Sequence, residues 1–539
     1  MKIFLGEKAN DLFKDEKFLE AWDRLLGLCP WATVFQSKEF VLTWYTIYNK
    51  YTPILLTDWD GYKLNGLFTL TINNKGEITA AGTNQAEYQV WLSTTEDSYF
   101  ILKSSLKLIK RVFPNKPFVL KYLPPRSPVE QFNKESKWKK EVILKTHLQP
   151  LMVSNEKLLA QELKKKNRKE KVNRLKRKGS LNFAVISTID EFLKIFDDLI
   201  IQSDFRKGAM YDKVTFQYEI ERKDFLIRLF ELGLLHVSIL KLDDEIIASN
   251  AGIAGKEMVH LQGINSHSPF YAKYSPGILH FLMLGIELGK SGIEYFDLTP
   301  GGVKGYKEIL SNCSQVAYEF KYLSPIKVKK ELLNEAIKDK LKSLFEGLLK
   351  QNYQSFKIAQ QFQNGKKKYN LLSKKGLKFF EFDGMNRVFS SRSKTYLTLS
   401  SIGKEGLQKV FKFSENKMAD LLNFDESLGI ITRKEFLFDC MKRIELGHSF
   451  FCLMSGNSLC AVLWYIPTNV SLGELSSPQG KSLNTGVMAF SYYQSQYLSV
   501  THCLLYSVIK KVDVPFPVQL QLCSSQTKLK NHLKLRLNV

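Results

Sequence analysis

Asp297, Tyr306 and Lys307 have the types and the spacing to move protons and hold charge. Asp297 closes a short apolar run, residues 293–298, that reads as a buried strand. A carboxylate at a strand tip facing a cleft can take a proton or accept a substrate hydrogen bond; a capping aspartate has the same sequence signature. Tyr306 and Lys307 open the next short helix after a Pro-Gly-Gly turn. A phenol there can give a proton to a leaving group, and an ammonium can hold a phosphate or a carboxylate. Upstream, Lys273-Tyr274-Ser275-Pro276-Gly277 leads into an apolar run to Leu288, with Gly289 and Gly292 ending it. Ser275 suits an N-cap, Pro276 suits the first helical position, and Gly277 lets another group approach the backbone. A helix start of this kind bares N–H groups and a partial positive charge, which fits a phosphate-bearing ligand, with Lys273 adding to it. Many such helices bind nothing. His267, in the loop before the helix, is the alternative base; His280 on the apolar helix reads as packed.

The elements that must hold these residues can be read around them. Strands are expected at residues 245–253 and 258–264, joined by an Ala-Gly-Lys-Glu turn, then a polar loop over 265–274. Before them come a strand at 181–186, a helix at 192–205 capped from Thr188, a helix at 222–232 ended by Gly233, and a strand at 235–242. A strand at 316–322 closes the domain. Residues 1–150 form a first mixed half: helices at 15–26, 40–45 and 100–112, strands at 53–57, 64–72 and 118–122. Residues 151–179 form a basic helical arm; from 155 to 178 eleven Lys or Arg face three Glu, about a third of the net charge of +24. Its thin apolar stripe predicts a helix held by one edge, and a solvated face is as good a reading as a phosphate-binding one. Residues 180–325 form the second domain, and 326–392 an amphipathic helix and linker. Residues 393–539 form a third α/β unit, with a helix at 436–444, a hairpin over 450–466, a helix at 503–511 and a strand at 518–522.

Tyr274-Ser275-Pro276-Gly277, then Phe296-Asp297, then Gly305-Tyr306-Lys307 resemble, in that order, the acetyltransferases associated with cellulose and exopolysaccharide synthesis (CelD/BcsL type). That family lies in the GNAT superfamily, close to the FemAB-like proteins. The likeness runs over about residues 31–323 and includes the Glu87-Tyr88 step in the first half. It implies an α+β fold of tandem GNAT-like domains, mixed central sheets flanked by helices, with a basic helical arm; the last unit reads as a degenerate third copy. It implies acyl-CoA, such as acetyl-CoA, as donor and no metal. Lys273, Tyr274, Ser275, Pro276 and Gly277 would bind the donor. Asp297 would serve as base, Tyr306 as acid to the leaving thiolate, and Lys307 as an anion holder. An arginine expected five residues before a loop glycine, here Gly208, is missing; Ser203 stands in its place, with Arg206 as the candidate substitute.

Composition bounds the rest. The chain of 539 residues has ample apolar content for several cores, and its seven cysteines are scattered, with no paired Cys-x-x-Cys, as in reduced buried thiols. The start of the chain is charged rather than signal-like, and no run reaches membrane-span length. There is no Gly-x-Ser-x-Gly elbow, no His-Glu-x-x-His and no phosphate-loop motif, which disfavours serine hydrolases, zinc proteases and P-loop NTPases. The expected function is transfer of an acyl group from a thioester to an amine or hydroxyl of a sugar, amino acid or lipid-linked acceptor in polysaccharide or envelope assembly. It would take place in the cytoplasm, with an anionic membrane surface as one candidate partner. The alternatives are a FemAB-like transferase fed by aminoacyl-tRNA and a non-catalytic basic scaffold.

Overall fold

A computed structural model of the chain describes residues 1–94, 98–135, 138–349, 394–399, 412–428, 431–466, 487–493, 501–512 and 518–523. The chain divides into two compact units. The first comprises Met1–Asp197, Glu219–His267 and Tyr274–Leu348; the second comprises Asp198–Tyr218, Ser268–Lys273 and Leu349–Val539.

Thirteen strands build one sheet in the first unit: β1 (Lys2–Leu5), β2 (Ile54–Trp59), β3 (Leu64–Ile72), β4 (Ile78–Ala80), β5 (Leu92–Ser93), β6 (Phe118–Leu123), β7 (Val142–Val153), β8 (Leu181–Ile186), β9 (Leu235–Leu242), β10 (Glu245–Ala254), β11 (Met258–His267), β12 (Tyr295–Asp297) and β13 (Cys313–Tyr322). Their order is β1-β2-β3-β4-β6-β13-β7-β12-β11-β10-β9-β8, with β5 beside β3. The fold is α+β, a mixed sheet flanked by helices. The order runs through two successive halves, and they exchange their last strands. β7, which ends the first half, pairs with β12 of the second; β13, which ends the second, pairs with β6 of the first. β7 and β13 then pair with each other over ten residues, Cys313↔Leu151 to Tyr322↔Val142. The halves therefore share one sheet and one unit.

Element types match the sequence pattern closely, and their limits move. The strand after Met258 runs on to His267, and what was expected as a polar loop is a 3-10 turn, Pro269–Tyr274. The helix expected at 192–205 runs Ile189–Tyr211, capped by Thr188 and Glu191, each of which takes the other's backbone N–H. The helix expected at 15–26 runs Glu16–Leu28, with Gly27 inside it. The basic arm is two helices, Glu156–Lys164 and Lys166–Lys176, because Lys165 leaves helical geometry at φ −57°, ψ 138°. The amphipathic helix is described over Pro325–Leu349; the linker expected beyond residue 350, to 392, lies outside the described residues.

Among the described residues the second unit has a six-stranded sheet that includes the hairpin Ser449–Ser455 and Ser458–Ile466. Helix Arg433–Glu445 packs a buried cluster of Phe436, Leu437, Phe424 and Trp464 with it.

Phe320 ties the exchanged strand into the core. It is fully buried and its ring meets Phe118 at 6.2 Å and Phe132 at 5.6 Å. Phe320→Ala is expected to cost about 3–5 kcal/mol, read as a lower urea midpoint with one cooperative transition for the first unit. A loss under about 1 kcal/mol would mean that β13 is not part of the shared core.

Candidate active site

Asp297 sits at the end of β12, between His260 of β11 and Leu151 of β7 in the ladder. Its side chain is fully buried. A carboxylate without water must be satisfied by donors, and three are in place. Tyr88 donates its phenol to Oδ2 at 2.7 Å, His260 Nδ1 lies 2.8 Å from the same oxygen, and the Thr299 amide donates to Oδ1 at 2.8 Å. Thr299 holds a positive φ of 68°, a conformation that costs a threonine energy and that turns its N–H back onto the carboxylate. The Nδ1 of His260 faces the carboxylate oxygen, which suits it to donate there.

Tyr88 arrives from the first half. Its carbonyl accepts from Gln36 Nε2 at 2.9 Å, which pins the loop, and Thr33 with Gln36 forms a capping box beneath it. The Phe35 and Tyr88 rings lie 5.0 and 5.4 Å from the His260 ring. Burial, then the Asp297 charge, pushes the Tyr88 phenol well above its ordinary range, so it stays a donor. Here the sequence expectation needs correcting: Asp297 does not open onto a cleft as an accessible base. It anchors a sealed Tyr88–Asp297–His260 cluster joining the two halves.

Lys307 is half-buried on the same side. Its ammonium donates to the Thr299 carbonyl at 2.9 Å and to Thr299 Oγ1 at 3.2 Å. Burial pushes its pKa down; the carboxylates of Asp297 and Glu87 oppose this, and Lys121 adds to it. Glu87 is buried and ion-paired with Lys121 at 2.9 Å. Tyr306 faces the other way. Its ring stacks on Phe281 at 6.1 Å within the apolar cluster of Phe296, Leu298 and Leu310. The pair adjacent in sequence is thus divided between two environments.

The donor-side residues gather at the helix Pro276–Lys290. Pro276 takes the first helical position as expected. Ser275 does not cap with its side chain: it is left-handed at φ 52°, ψ 51°, and side-chain capping needs the extended region. Its Oγ instead accepts from Lys171 Nζ at 2.9 Å, bringing an ammonium from the basic helix to the helix start. Gly277 gives room to His267: a Cβ there would come within 3.3 Å of Nδ1. Tyr274 is buried, and Lys273 belongs to the second unit's segments. On the buried face of this helix, His280 Nε2 lies 3.1 Å from Ser238 Oγ, and burial pushes its ring down to about 3, so it is a neutral packed histidine. Asn250, the ladder partner of Ser238, is fully buried with no partner for either amide atom. The β10–β11 ladder is broken by a bulge at Gly252/Ile253, a common device beside active sites.

Sequence reasoning reached Asp297, Lys307 and the Pro276 helix. It noted Tyr88 without joining it to Asp297 or His260, and it missed Lys171 and Asn250 as individuals. A lone Lys in a run of eleven cations, or an Asn inside a strand, carries no local signal.

Residues 164–308 match the family model described as the acetyltransferase (GNAT) domain. That stretch begins in the basic arm and holds the Pro276 helix, His260, Asp297 and Lys307; the model does not distinguish the cellulose-associated subgroup. No curated protein matches the chain. Among solved structures, FemX is similar at 11% identity over 58% of this chain and 97% of its own, with a TM-score of 0.39. L-PGS from Bacillus licheniformis is similar at 12% identity over 57% and 93%, with a TM-score of 0.39. A GNAT-family acetyltransferase from Colwellia psychrerythraea is similar at 11% over 60% and 100%, with a TM-score of 0.32. Among the described residues no helix is long and apolar enough to cross a membrane.

Tyr88→Phe should cost about 1–3 kcal/mol, because a buried carboxylate loses a donor. The raised phenol pKa also fixes a sign. The folded state keeps the proton, so stability is intact below the ordinary phenol value of about 10 and falls as pH rises past it. Urea melts between about pH 9 and 11 should show this fall in the wild type and less of it in Tyr88→Phe.

Proposed function

We propose that the chain is an acyltransferase of GNAT type, moving an acyl group from acyl-CoA to an amine or hydroxyl acceptor, most suitably in polysaccharide or cell-envelope assembly. The observation that carries this reading is the Lys171 ammonium held on Ser275 at the open end of the Pro276 helix, inside the stretch that matches the acetyltransferase family. The residues present fit the donor. The helix offers its first amide at Gly277, a partial positive charge and a lysine to a pyrophosphate. The orphaned Asn250 amide beneath the helix offers donor and acceptor to a polar ligand chain. When bound, acyl-CoA supplies the acyl group activated as a thioester.

The chain's own groups then divide the work. Lys307, whose pKa burial lowers, takes the proton from the attacking amine or hydroxyl. The acceptor's N or O forms the new bond to the acyl carbon as the carbon–sulfur bond breaks, and the proton passes on to the departing sulfur. Asp297 is a positioning residue: with Tyr88 and His260 it fixes the strand tip and Thr299, and through Thr299 it fixes Lys307.

A second reading is favoured by a separate observation. On the basic helix, Lys166, Lys169, Lys176 and Arg177 are exposed. Such a face suits the phosphates of an aminoacyl-tRNA donor. Steeply salt-dependent tRNA binding, lost on reversing those charges, would support it over the first.

Calorimetry with acetyl-CoA tests the leading reading. Binding is expected, with Gly277→Glu abolishing it and Lys171→Ala weakening it about tenfold, roughly 1.4 kcal/mol. An unchanged affinity in both variants would remove the donor site from this helix. In turnover, activity should fall as pH drops through the lowered Lys307 pKa, since only the neutral amine accepts a proton. Lys307→Arg, permanently charged, should lose about 100-fold or more at every pH. An unaltered pH profile in that variant would take Lys307 out of the proton path.

A further inference from the structure

A surface helix of a folded domain ordinarily turns its apolar stripe inward and its charges outward. The helix Pro325–Leu349 does the reverse. Its root is anchored by Val328, buried in a cluster with Ile143 of β7 and Leu323. Val328, Glu331 and Glu335, at i, i+3 and i+7, form the side that meets the sheet. Between Ile326 and Ile337 only these three are not exposed. Both carboxylates are engaged in that contact: Glu331 pairs with Lys321 of β13 at 3.6 Å, and Glu335 pairs with Lys145 of β7.

The outer side is apolar. Ile326, Leu333 and Ile337, at i, i+7 and i+11, lie about half a turn round the helix from the inner side. They are 81%, 61% and 47% exposed. The same spacing recurs in the sequence at Leu341, Leu344 and Leu348. Lys329 borders this stripe and Lys330 stands within it; both are exposed, with no carboxylate partner among the described residues.

A stripe of this kind calls for an apolar partner. A second helix is a poor fit. A coiled-coil seam alternates steps of three and four, and a seam through Leu333 and Ile337 would continue at Lys340 and Gly347. The apolar residues instead step four, four, three and four from Leu333 to Leu348, as a straight helix presents them to a flat surface. A lipid bilayer is such a surface. Apolar side chains enter the acyl boundary, and lysine stems lie along it with their ammonium groups among the headgroups. With Glu331 and Glu335 turned inward, the outer side presents cations, so the matching headgroups are anionic. The helix does not qualify as a membrane span, which leaves it lying in the interface plane.

We propose that Pro325–Leu349 is an interfacial helix that seats the first unit on an anionic lipid surface through Ile326, Leu333 and Ile337. This does not rest on the acyltransferase reading.

The test is flotation of the full chain with vesicles, without any acyl donor. Phosphatidylcholine vesicles holding about 30% phosphatidylglycerol, at about 0.1 M salt, should bind it with half-saturation at about 1 mM lipid or below. Pure phosphatidylcholine should bind about fivefold more weakly or worse. Leu333→Glu with Ile337→Glu, both exposed positions, should weaken binding about tenfold without moving the melting temperature. Ile326→Trp should strengthen it about threefold, a gain that no folding defect gives. The proposal is overturned if neither vesicle binds, if the two bind equally, or if the Leu333/Ile337 variant binds like the wild type. Binding that survives that variant and is lost on Lys166→Glu with Lys169→Glu would give the contact to the basic arm instead. Sedimentation without vesicles should find the same mass for wild type and the Leu333/Ile337 variant. A dimer that the variant abolishes would assign the stripe to a second copy and equally overturn the proposal.

Discussion

A carboxylate cut off from water has to be answered by protein groups, and Asp297 is answered from both halves of the chain. Tyr88 comes from the first half, His260 from the second, and Thr299 from the turn that follows the strand. Removing any one leaves a charge in a medium that cannot screen it, a cost that falls on the whole first unit. The same contacts set the tip of β12, and the tip sets Thr299 and Lys307. One buried charge thus couples the stability of a shared sheet to the placement of the Lys307 amine.

The exchange of β7 and β13 makes that coupling possible. If each half kept its own last strand, Tyr88 and Asp297 would belong to separate bodies. With β7 inserted beside β12 and β13 beside β6, the two halves share ladder and core, and a loop of the first can close over a strand end of the second. The helix starting at Pro276 lies on the opposite face from His260 and Asp297, as the packing of Phe281 against Phe296 shows. The helix and the buried acid–imidazole cluster therefore sit on different faces of β11 and β12.

Much of this was legible in the sequence, and the failures share a cause. Strands 181–186, 235–242 and 64–72 were placed correctly, because alternation and turn residues are local signals. The Ser-Pro-Gly helix start was correct in place and wrong in detail. The left-handed Ser275 is set by Lys171, over a hundred residues earlier, and by the closeness of His267 to Gly277. Asp297 was found as a strand-end carboxylate, but whether such a group faces a cleft or a phenol depends on a partner 209 residues away. Tyr306 and Lys307 read as one pair; the helical turn sends their side chains to opposite sides, one to a ring and one to a carbonyl. Long-range pairing carries no local pattern, and β7–β13 is the largest instance here.

The account stands on the helix start as a phosphate site. A crystal structure with a non-transferable acyl-CoA analogue examines it most directly. The pyrophosphate is predicted on the amide of Gly277, with the Lys171 ammonium moved from Ser275 onto a phosphate oxygen. An analogue bound elsewhere, with Lys171 still on Ser275, would contradict it.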